Sequence, residues 1–86
     1  MSKTLNELSA ERDKALLTRD PEKLRRFVVE NEEYYGKSFV LCFKFAPKKM
    51  VEATMHKMIV HCESLPDDVR DESEEWLLKR GMDLKL

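Results

Sequence analysis

KSFVLCFKFAPKK, residues 37–49, admits two secondary structures, and the architecture turns on which one it takes. Phe39, Leu41, Phe43 and Phe45 alternate with Val40, Cys42 and Lys44, the two-residue period of a β-strand. Its aromatic and β-branched content agrees. The pattern predicts a short extended or β segment over residues 38–45 with both faces largely apolar. No other part of the chain reads as a strand, and a lone strand leaves its backbone N–H and C=O groups unpaired. Two resolutions are open. The segment pairs with the same strand of a second copy, antiparallel across a two-fold axis, or it is an extended or helical connector buried among helices.

The flanking sequence is helical. Thr4-Leu5-Asn6-Glu7 fits a capping box, and Leu5, Leu8, Ala15 and Leu16 follow as an apolar stripe. Asp20-Pro21 stops that helix and starts the next, with Asp20 as N-cap and Pro21 at the first helical position. Leu24, Phe27, Val28 and Tyr35 share a face of this second helix, Glu22 is placed to pair with Arg26, and Gly36 suits a left-handed stop. Pro47 opens a third helix lined inside by Met50, Val51, Met55, Met58, Ile59 and Cys62. Ser64-Leu65-Pro66-Asp67 makes a turn with a capping serine. A fourth helix carries Val69, Ser73, Trp76, Leu77 and Arg80 at helical spacing and ends at Gly81. The expected fold is mainly α: a small bundle of about four helices with one short extended segment, as one domain over residues 1–86.

Composition fits that picture. The 86 residues are 42% hydrophobic and 38% charged, which supports a folded core under solvated faces of mixed sign. A core this small makes self-association a natural source of added stability. The net charge of −1 is unevenly spread. Residues 37–63 hold five lysines against two acids, a net +3, while residues 64–86 hold four basic residues against seven acids, a net −3. A pI near 6.1 gives no general attraction to nucleic acid or anionic lipid. MSKTLNELSAERD lacks the apolar core of a secretory signal, and no run approaches the ~20 apolar residues of a membrane span. A cytoplasmic protein without membrane contact is expected, with Cys42 and Cys62 as small buried thiols.

No catalytic constellation emerges. His56, His61 and Cys62, with Glu52 and Glu63, are the nearest approach to a metal cluster, but His61 lies five residues beyond His56 and so faces another direction. Neither a phosphate loop nor a GxSxG or dinucleotide fingerprint is present, and both glycines are accounted for as helix stops. The expectation is therefore no enzyme, no metal, no cofactor and no small-molecule ligand. The tight turn before the last helix invites a helix-turn-helix reading. That helix begins PDDVRDESEEW, which would set carboxylates against phosphates, so DNA binding is disfavoured.

What remains is protein interaction. Phe39, Leu41, Phe43 and Phe45, with Tyr34, Tyr35 and Trp76, are the candidate interface residues, since such rings carry much interface energy. A homodimer, or an unknown protein partner, is the expected assembly. The alternative is a nucleic-acid-associated accessory protein using the basic centre. In MHKMIVHCESLPDDVRDESEEWLLKRGM, the residues His56, Lys57, Leu65, Pro66, Ser73, Trp76, Leu77 and Gly81 carry a resemblance to small prophage-encoded proteins of Gram-positive bacteria. It covers about the last third of the chain and rests on structural residues. It implies a phage or mobile-element accessory gene and carries over no catalytic or binding residue.

Overall fold

The Val40 N–H donates to the Gly36 carbonyl at 3.1 Å, and the Ala46 N–H to the Cys42 carbonyl at 3.0 Å. These four-residue bonds begin and end a helix. In the computed structural model, which describes residues 3–86, the helices run α1 (Leu5–Leu17), α2 (Pro21–Glu30), α3 (Glu32–Tyr35), α4 (Lys37–Phe45), α5 (Lys48–Val60) and α6 (Asp67–Lys79). The extended segment expected over 38–45 is thus a helix, and among the described residues no strand occurs. The expected pairing of strands across a two-fold axis goes with it. Six of the nine α4 residues are apolar, which satisfies a period of two and a period of 3.6 alike. Backbone satisfaction breaks the tie, because a helix pairs its N–H and C=O groups internally and needs no partner strand.

The helix count also exceeds the expected four. Asn31, at φ −116° and ψ 40°, interrupts the second helix and splits α2 from α3. Its side chain is buried and donates to the Phe27 carbonyl at 2.7 Å, a local bond that competes with helix continuation. Gly36 then serves two helices at once. At φ 86° and ψ 154° it ends α3 and turns the chain straight into α4.

Other boundaries agree with the sequence. The Glu7 N–H donates to Thr4 Oγ1 at 3.1 Å while Glu7 Oε1 accepts from the Thr4 N–H, so the capping box forms in both directions. Asp20 caps α2 through the Glu22 N–H at 3.0 Å, with Pro21 in the first turn. Glu22 pairs with Arg25 three residues on, at 3.2 Å, in place of Arg26. Ser64 makes no cap for α6; its hydroxyl donates instead to Asp13.

The helices form a flattened body of 40 × 27 × 19 Å, whose thin axis accommodates two helix layers and leaves most helices an outward face. α2 lies at the centre, against α1, α3, α4 and α5, while α6 packs on α5. Leu16, Leu24, Val28, Val51, Met55, Ile59 and Leu77 are essentially removed from water. Leu5 and Met50, expected inside, are exposed, and so is Cys42; only Cys62 is a buried thiol. Among the described residues no helix is long and apolar enough to cross a membrane.

Candidate interaction surface

α4 is held from within by a single arginine. Arg25 Nη1, on α2, donates to the carbonyls of Phe43, Lys44 and Ala46 at 2.5, 3.2 and 2.9 Å. These are the carbonyls that the end of a helix leaves without partners, and a cation there also opposes the helix dipole. On the other side Val40 and Phe43 enter the core. An aromatic row continues outward from it: Phe27 meets Tyr35 at 6.0 Å, Tyr35 meets Phe39 at 5.3 Å, and Phe39 meets Phe43 at 5.0 Å between centroids. Tyr34 sets its edge against Tyr35 at 5.0 Å.

The seven expected interface residues therefore separate. Leu41 is 52% exposed and Phe45 75%, and Met50 at the start of α5 is 61% exposed; Phe39 and Tyr34 are exposed too. Phe43 is 5% exposed and belongs to the core, and Tyr35 is half-buried within the aromatic row. Burial raises the Tyr35 phenol above its ordinary pKa. Trp76 lies elsewhere. It stacks on His56 at 4.2 Å and takes the Arg80 guanidinium over its ring at 3.9 Å. Helical spacing explains the split, since Leu41 and Phe45 fall four apart on one side and Val40 and Phe43 three apart on the other.

Between α4 and α5 runs a groove of about 250 Å³ lined by Phe39, Cys42, Phe43, Ala46, Met50, Val51 and Thr54. Met50 and Cys42 border it, two residues whose sequence pattern pointed to the core. The signal that could have located it is charge: residues 34–51 contain four lysines and no Asp or Glu. Lys37, Lys44, Lys48 and Lys49 are all exposed. None of the four joins an ion pair among the described residues, and Lys44 instead lies 5.8 Å over the Phe45 ring.

Two polar clusters sit apart from this surface. His56 Nδ1 and Ser73 Oγ are 2.9 Å apart, and both side chains are buried between α5 and α6. Burial holds the imidazole below the ordinary histidine pKa; Glu52 works against this, and Arg80 and Arg19 add to it. The pair ties α5 to α6, with Ser73 wholly removed from solvent. At the α5–α6 turn, Asp13 accepts from Cys62 Sγ at 3.2 Å and from Ser64 Oγ at 2.6 Å, with Arg12 at 3.0 Å. Desolvation would raise the Asp13 carboxyl, but these three hydrogen bonds outweigh it and lower it below the ordinary carboxylate range. His61 points outward to the Leu84 carbonyl at 2.6 Å. Among the described residues no three His, Cys, Asp or Glu side chains converge as metal ligands do. The chain matches no protein-family model, no curated protein and no solved structure.

Proposed function

We propose that the chain is a non-catalytic interaction protein whose outward α4 face and adjoining groove form the contact surface, and that it associates first with a second copy of itself. The observations that carry this reading are the exposed Leu41 and Phe45 on the outer side of α4 and the exposed Met50 in an apolar groove between α4 and α5, with the end of α4 held by Arg25. Exposed apolar surface of this kind costs solubility unless a partner covers it. With the resemblance of its last third, the setting is a cytoplasmic accessory protein of a phage or mobile element.

The test is solution mass by light scattering across a dilution series. The chain should run as a dimer that dissociates on dilution, and Leu41→Asp with Phe45→Asp should run as a monomer with unchanged helical content. A monomer at every concentration would overturn the reading. The four unpaired lysines favour one second reading, a nucleic-acid accessory role. Against it stand the exposed carboxylates Asp67 and Asp68 at the start of α6. Titration of a labelled duplex at low salt decides it, because phosphate binding must be strong there and fall steeply as salt rises.

A further inference from the structure

We infer that the surface mating with α4 is the outer face of α6 on the second copy, each molecule offering both faces so that the pair closes about a two-fold axis. The inference deepens the association proposed above and rests on it. α6 carries Leu78 exposed on its outer side, beside Asp71, Glu74, Glu75 and Lys79, the last paired with Glu75, so that the face is net acidic. α4 carries Leu41 and Phe45 exposed, with Lys37 and Lys44 beside them. Each face is thus an apolar centre with a charged margin, the usual build of an interface, and the two margins have opposite sign.

The charges left over inside one molecule match as well. α6 meets its intramolecular cations through Arg19–Glu72, Arg70–Asp67 and Lys79–Glu75. Asp68, Asp71 and Glu74 join no ion pair among the described residues, and neither do the four lysines of α4 and the start of α5. The basic segment and the acidic helix therefore do not neutralise each other within the chain. α4 rests on α2 and α3 while α6 rests on α5, so neither covers the other. Pairing α4 with α4 of a second copy would set Lys37 and Lys44 near their own equivalents, a like-charge arrangement that interfaces avoid. Exchange of α4 for α6 removes that repulsion, and a two-fold axis would repeat it as two equivalent contacts. The lengths agree: α4 spans about 13 Å and α6 about 20 Å, so the shorter helix can lie along the longer.

The deciding experiment is a charge swap read by light scattering and sedimentation at low salt. Asp71→Lys with Glu74→Lys should weaken the dimer by roughly tenfold or more, since two attractive contacts per interface turn repulsive. Lys37→Glu with Lys44→Glu should do the same, and an equimolar mixture of the two variants should recover wild-type mass as a heterodimer. High salt should shrink every difference. If the α6 variant dimerises like wild type while Leu41→Asp with Phe45→Asp is monomeric, association stands and the α6 assignment is overturned. If wild type is a monomer throughout, both fall together.

Discussion

Arg25 Nη1 lies 2.5 Å from the Phe43 carbonyl, so the last turn of α4 is closed by a side chain eighteen residues away in the sequence. The same nitrogen reaches Ala46 at the corner into α5, and Glu22 holds the guanidinium from behind. Arg25→Ala should cost about 1.5–3 kcal/mol, the range for hydrogen bonds to a charged group. Arg25→Lys should recover only part, because an ammonium lacks the planar fork. Urea unfolding measures both, and amide exchange should show the loosening concentrated at residues 40–46.

Phe43 and Leu41 stand two apart and would behave alike on one face of a strand. In the helix they do not. Phe43→Ala should destabilise by about 3–5 kcal/mol, as a core aromatic truncation does. Leu41→Ala should change monomer stability by less than about 0.5 kcal/mol. Thermal melts at a concentration low enough to keep the chain monomeric make the comparison, and equal losses would contradict α4 as described.

Gly36 adopts φ 86° and ψ 154°, a region essentially closed to residues with a side chain. A Cβ added there would meet nothing within 4 Å, so the cost of Gly36→Ala is purely backbone strain. About 1–3 kcal/mol is expected from equilibrium unfolding. Gly36→Asn should cost about as much as Gly36→Ala, since asparagine's tolerance of positive φ is confined mostly to the left-handed helical region and ψ here is 154°.

His56 and Ser73 supply a pH dependence with a definite sign. The folded chain holds the imidazole neutral more firmly than the unfolded chain does, chiefly through burial. Between the lowered folded value and the ordinary one of about 6.5, the unfolded state binds more protons, so stability falls as pH drops through that window. His56→Gln should flatten the difference in urea midpoint between about pH 8 and about pH 5. Ser73→Ala should cost about 1–3 kcal/mol at neutral pH by leaving the buried Nδ1 without its partner.

Legibility in the sequence tracked the range of the interaction. The Thr4–Glu7 capping box and the Asp20-Pro21 boundary are settled within four residues, and both stand in the structure as read. Gly36 was legible as a helix stop, yet its role in starting α4 depends on the chain beyond it. α4 stays ambiguous in the sequence, with the extended form favoured, because its apolar residues fit two periods and because Arg25 completes the helix end from outside the segment. Met50 follows a helical stripe and so reads as core, yet it is exposed and lines the α4–α5 groove. For the candidate surface, the aromatic residues were visible, but dividing Phe43 from Leu41 and Phe45 required the helix. Trp76 reads as a candidate interface ring, because its contacts with His56 and Arg80, twenty and four residues away, are set by the packing of α5 and α6 and the last turn of α6.

The two thiols occupy opposite situations, one lining the α4–α5 groove and the other engaged with Asp13 beneath the α5–α6 turn. A maleimide therefore reads two different events in one molecule. Cys42 should label at once in the free chain and be protected only while something fills the groove. Cys62 should label only when the turn opens, at a rate set by local unfolding. The protein thus carries built-in reporters, one for occupancy and one for breathing, that need no introduced probe.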